Sequence, residues 1–119
     1  MRITIVVDNT ADAGSALATE HGFSLWIETA GLRILFDTGQ GSALVPNAAA
    51  LGVDLGATEH LVLSHGHYDH TGAVPAALAA APGAHVWAHP AVHLERYSVR
   101  DGAAEPIHPP RPVIRLLDS

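Results

Sequence analysis

Cysteine is absent from this 119-residue chain. Disulfides and thiolate metal sites are therefore excluded, and any metal must be held by His, Asp or Glu. Lysine is absent too: the six basic residues are all Arg, against twelve acidic ones, for a formal charge of −6. These Arg form no cluster, so the chain has neither the basic footprint of a nucleic-acid binder nor a tract for an anionic membrane surface. Aromatics are only 5% of the residues, so the core is expected to be aliphatic and closely spaced. No apolar run approaches the roughly 20 residues of a membrane-spanning helix. The opening run Ile3 to Val7 is too short, and too soon followed by Asp8-Asn9, for a signal peptide. The expectation is a soluble, cytoplasmic protein with no nucleic-acid or membrane partner. With 48% apolar residues the chain is globular rather than disordered, and its length allows one small domain over 1–119.

What is abundant is histidine, nine in all. Three of them fall with one carboxylate in Ser64-His65-Gly66-His67-Tyr68-Asp69-His70-Thr71, directly after the apolar run Leu61-Val62-Leu63. Neutral imidazole suits zinc, iron, copper or nickel, and a carboxylate also ligates zinc. Two His two residues apart can converge on one metal as the chain leaves a strand, while Asp69 and His70 turn the other way. That spacing suits two metals sharing a water. Gly66 lets the backbone fold tightly enough for both sets to face one cavity. A solvated His-rich loop would lack the Asp, the spacing and the preceding strand.

Around this stretch the periodicities read as alternating strands and helices. Ile3 to Val7 is a strand opening into the turn Asp8-Asn9-Thr10, and Thr10 to Gly22 is a loop in which His21 is a solvated residue. Phe23 to Thr29 alternates, with Phe23, Leu25 and Ile27 on one face and Ser24, Trp26 and Glu28 on the other. It turns at Ala30-Gly31 into a second strand, Arg33 to Phe36, closing a hairpin. Asp37 at its end acquires a role beside the metal motif, because a metal-bound His donates its other ring N–H to a carboxylate. Ser42 to Leu51 is helical, capped by Gly52; His60 lies at a strand edge before the motif. Thr71-Gly72-Ala73-Val74-Pro75 leads into an Ala-rich helix through Ala81, stopped by Pro82-Gly83. Ala84 to Ala88 is a strand, and Pro90 opens a short helix to Arg96 that would bring His89 and His93 to one face. From Ser98 the chain is loop-like, with a last strand at Val113 to Leu117.

The segment from Ser64 to Thr71 resembles the signature of the metallo-β-lactamase superfamily, most of whose members are metal-dependent hydrolases. The resemblance implies that His65 and His67 bind one metal and that Asp69 and His70 bind a second. Asp37, in a similar "DTG" stretch, would support a ligand from behind. The stretches "VDNT", "HGFSLWIET", "ILFDTGQ", "LSHGHYDHTG" and "AHP" together resemble the branch of metal-dependent hydrolases related to a methanopterin-pathway ribofuranosylaminobenzene 5′-phosphate synthase. The cofactor implied is zinc, up to two ions, with manganese or iron as substitutes. The implied activity is hydrolysis of a small ester, thioester or phosphoester by a metal-activated water, with Asp69 as the catalytic residue.

The resemblance covers only the first half of the family's αββα sandwich, from about Met1 to about Tyr97. The elements build one mixed sheet with helices on one face, and the other face stays apolar and uncovered. The family's remaining ligands come from its second half. A homodimer that reproduces the sandwich is the favoured expectation. A separate chain supplying the second half, or a truncated product, are the others. His89 or His93 would then add a ligand or a substrate contact. The rival reading is a metal-binding module without turnover, its site incomplete.

Overall fold

The computed structural model describes residues 1–117. Six elements of it form and flank one five-stranded sheet: β1 (Arg2–Val7), β2 (Ser24–Thr29), β3 (Leu32–Phe36), α1 (Leu44–Leu51), β4 (His60–Val62) and β5 (His85–Trp87). The spatial order is β1-β2-β3-β4-β5. The first three strands pair antiparallel, and β4 joins β3 and β5 in parallel. Ala30 (φ 49°) and Gly31 (φ 80°) make the two-residue turn between β2 and β3, whose left-handed pair matches the twist of the strands. The parallel steps need crossovers, and helices supply them. α1 bridges β3 to β4; its end is Gly52 at φ 70°, whose N–H bonds back to Ala48 and Ala49.

Between β4 and β5 the expected Ala-rich helix is α3 (Val74–Ala80), and a short helix that the sequence reading did not include, α2 (Tyr68–Thr71), precedes it. The two part at Gly72, where a Cβ would overlap the carbonyl of Gln40. Gly72 N–H instead donates to Gly39 O at 3.0 Å. The turn after β3 is thereby pressed onto the helix that follows the His-rich stretch.

Strand alternation divides the sheet into two unlike faces. Val6, Trp26, Leu35 and Leu61 are buried beneath the helices, packed with Leu44, Ala48, Val74, Ala77 and Val113. The registers align Ile5, Leu25, Phe36, Val62 and Trp87 across the other face, with Ile3, Ile27, Ile34, His60 and His85 in the next row. This face is open. Ile3, Ile5 and Trp87 are each more than half exposed. His60 is the first residue of a central strand rather than an edge residue; its Nδ1 accepts from the Trp87 indole at 3.0 Å.

The last third departs from the sequence reading. A hairpin of β6 (Tyr97–Arg100) and β7 (Ala103–Pro106) replaces the expected loop, turning at Asp101 (φ 51°) and Gly102 (φ 77°). Val113 to Leu117 is not a strand but the body of α4 (Arg111–Leu117). Pro112 suits a helical first turn, where its missing N–H costs nothing. Val113 and Leu117, four apart, face the core, which the β-branched pair Val113-Ile114 obscured in the sequence.

Candidate metal centre

The His-rich stretch leaves β4 where the parallel strands end, the edge at which α/β sheets gather ligand-binding loops. Leu63 N–H donates to Trp87 O at 2.9 Å, extending the β4–β5 pairing by one step before the chain turns away. Gly66 is then required by a close approach rather than by its dihedrals: a Cβ there would collide with the carbonyl of Val92. The helix α2 begins after His67, whose backbone carbonyl receives His70 N–H, Thr71 N–H and Thr71 Oγ1.

Asp37 organises this turn from below. It is fully buried, at φ 56°, a left-handed conformation that few non-glycine residues adopt and that recurs at functional sites. Its N–H bonds to Val62 O, and its carbonyl receives Ser24 Oγ. The carboxylate takes three hydrogen bonds: Oδ1 from Ser64 N–H at 2.8 Å, and Oδ2 from Ser64 Oγ at 2.6 Å and His70 Nδ1 at 2.8 Å. Because Ser64 Oγ spends its proton on Asp37, it accepts from His65 Nδ1, 2.7 Å away. One carboxylate therefore sets the tautomer of two rings, His70 directly and His65 through Ser64. In the neutral ring of each, Nε2 is then the nitrogen without a proton. Ser64 was missed in the sequence, although a hydroxyl between a strand end and the first His is the signal that marks it.

His65, Asp69 and His70 each offer a ligating atom, and these atoms lie within 4.8 Å of one another. This set cuts across the two pairs implied by the resemblance, taking His65 from one and Asp69 and His70 from the other. His67 packs its ring edge-on against His65, centroids 4.5 Å apart, but adds no donor atom to the set. The nitrogen and carboxylate donors fit a divalent ion such as zinc, which takes His and Asp ligands and needs neighbours that fix the rings. Burial pushes the His65 imidazole below its ordinary value of 6.5, and repulsion from the rings of His70 and His67 adds to this, against a smaller pull from Asp37 and Asp69. The ring thus favours the neutral form that ligates.

The loop before β2 is also tied into the site. Glu20 accepts from the N–H groups of Gln40, Gly41, Ser42 and Ala43 and from Ser42 Oγ. Burial would raise its carboxyl, but the bonds from Ser42, Gly41 and Gln40 outweigh this and hold it below the usual carboxylate value. The turn that carries Asp37 is clamped from outside by this residue. His89 and His93 lie apart, His89 capping and His93 ending a 3-10 turn over Pro90–His93. They line a cleft of about 810 Å³ with Leu78, Val86, Val92 and Leu117. His89 Nδ1 accepts from Ala91 N–H, so its free nitrogen is a donor. The short helix expected through Arg96 stops at His93.

A family model described as the metallo-beta-lactamase superfamily matches residues 18–118. The chain belongs to the metallo-beta-lactamase superfamily. The fold agrees: a Cronobacter sakazakii metallo-beta-lactamase carrying motif substitutions is 30% identical, with a TM-score of 0.55, over 65% of this chain and 31% of that one. The MIM-2 metallo-beta-lactamase is 29% identical, with a TM-score of 0.53, over 61% of this chain and 28% of its own. The uncharacterized protein MJ0448 of Methanocaldococcus jannaschii is 46% identical over 68 residues, 57% of this chain and 26% of that protein. The chain thus spans about a quarter to a third of the relatives it matches. Superfamily membership implies a divalent metal, and the His65–Asp69–His70 cluster is where the donors for one gather. Among the described residues no helix is long and apolar enough to cross a membrane.

Proposed function

We propose that this chain is the metal-holding part of a hydrolase acting on a small ester, thioester or phosphoester. The observation that carries the reading is the double support from Asp37, which leaves Nε2 of both His65 and His70 unprotonated beside Asp69. The ligands proposed are His65, His67, Asp69 and His70. A divalent ion bound there, zinc first and manganese or iron as substitutes, supplies Lewis acidity and a lowered pKa for water. Asp69 orients the attacking water and takes its proton on a carboxylate oxygen. Asp37 and Ser64 hold the ligand rings in one tautomer. His89, whose other ring nitrogen is a donor, and His93 both line the cleft of about 810 Å³ and are suited to substrate contact.

Asp69→Ala tests this. It should abolish metal-dependent hydrolysis of generic phosphodiester and thioester substrates and remove one metal equivalent, with the circular dichroism spectrum unchanged. Activity that survives the change refutes the mechanism. A second reading, a metal-binding module without turnover, draws on the small donor set: among the described residues three gather, where two metals need more. It requires metal-dependent stabilisation with no turnover.

The open sheet face suits a second copy of this chain, in a homodimer that pairs two such faces. Ile3, Ile5, Leu25, Ile27, Phe36, Val62 and Trp87 would be buried together, which an isolated sheet leaves facing water. A second-half chain on the same face is the other partner to test. Native mass spectrometry of the metal-loaded protein reads subunit number and metal count at once. A metal-bearing dimer supports the reading; a monomer refutes it.

A further inference from the structure

His21, Asn9 and Asp69 form a hydrogen-bonded chain across three separate parts of the sequence. We propose that His21 is a positioning residue for the Asp69 carboxylate, an inference that rests on reading Asp69 as a metal ligand. Asn9 Oδ1 accepts from Gly22 N–H at 3.0 Å. This fixes which way the amide faces, so its Nδ2 is the group 3.3 Å from His21 Nδ1. An N–H donor there requires a lone pair on Nδ1, and the proton of the neutral ring sits on Nε2. That nitrogen lies 3.1 Å from Asp69 Oδ2. Protonated at Nε2, His21 has no lone pair to offer an ion. Its part is to hold one carboxylate oxygen.

The backbone makes the contact a built one. Phe23 N–H donates to Asp69 O at 3.3 Å, and a Cβ on Gly22 would come within 2.6 Å of the same oxygen. Residues 21–23 therefore lie flat against the Asp69 backbone while the His21 ring reaches its carboxylate. His70 Nε2 is 3.6 Å from that same Oδ2. Both are acceptors in that tautomer, so without His21 the Asp69 carboxylate loses the donor that holds it beside His70. The His21 side chain is 62% exposed and that of Asp69 only 13%, so removing the ring sacrifices little packing but releases a largely buried carboxylate.

The test compares wild type, His21→Ala, His21→Gln and Asn9→Ala in two readouts, neither of which is activity. Long-range proton–nitrogen NMR of the metal-free protein should show His21 in the Nε2–H tautomer, and Asn9→Ala should disturb it. Zinc affinity, measured by competition with a chromophoric chelator, should fall about 10-fold or more in His21→Ala, the usual effect of removing a partner of a ligand. His21→Gln, whose amide still donates, should recover most of it. An Nδ1–H tautomer, or wild-type zinc affinity in His21→Ala, overturns the proposal. A wild-type protein that takes up no zinc overturns instead the reading on which it rests.

Discussion

Replacing Asp37 by Asn probes the centre more sharply than removing a ligand. Asn keeps the size of the side chain and tolerates the left-handed backbone at φ 56°, so the fold has no steric reason to fail. Its Oδ1 still accepts from Ser64 N–H, but its amide nitrogen now faces Ser64 Oγ and His70 Nδ1, where two donors met a carboxylate at 2.6 and 2.8 Å. His70 Nδ1 must become the acceptor, which moves that ring's proton to Nε2. Ser64 Oγ must accept from the amide and turn its own proton to His65 Nδ1, which moves the proton of His65 to Nε2 as well. Both nitrogens needed for a metal are then capped. A hydrogen bond to a charged group is worth about 1 kcal/mol more than a neutral one, so removing the charge from three of them costs the metal-free protein about 3 kcal/mol. The larger effect is on zinc, whose affinity should fall by about 10–100-fold. Urea unfolding of the metal-free protein, zinc competition and imidazole nitrogen NMR measure the three effects. Wild-type zinc affinity with unchanged His65 and His70 tautomers would refute the reasoning.

Gly66→Ala should destabilise the protein by about 3 kcal/mol or more, since the clash is with the carbonyl of Val92 and backbone cannot swing aside; a Tm within a degree or two of wild type would contradict that packing. The metal-free protein should lose stability in acid in two steps. The unfolded chain protonates His65 more readily than the folded one, so stability falls as pH drops below about 6.5. The depressed Glu20 carboxyl adds a further loss below about 4.5, the region where it protonates in the unfolded chain first. Chemical denaturation across pH 3 to 8 reads both. A stability that rises on acidification through 6.5 would contradict the first assignment, and a Glu20→Gln variant with an unchanged acid limb below 4.5 would contradict the second.

Much of this was legible without coordinates because it is local. The alternation from Phe23 to Thr29, the Ala30-Gly31 turn and the βα crossover into the His-rich stretch are patterns set by neighbours a few residues apart. The hairpin at Asp101-Gly102 was equally local and was overlooked: its turn pair is a strong signal, but Ala103-Ala104-Glu105-Pro106 is a poor strand composition that gains its form only by pairing. The helix over Arg111–Leu117 was hidden differently, because Val113 and Ile114 favour a strand until α3 offers a surface for Val113 and Leu117.

By itself the sequence determined the class of chemistry: no thiolate, a dense His and Asp stretch after a buried strand, and a glycine where the chain must turn. Tertiary structure alone decided how that stretch is held. Ser64, Glu20, Asn9 and His21 are unremarkable in sequence, being a hydroxyl, a loop acid, a turn amide and a loop imidazole. They become parts of the centre because β3, β4 and the loop before β2 end at one edge of the sheet. A proton's position on an imidazole depends on the partner across three-dimensional space, not on the residue beside it in the chain.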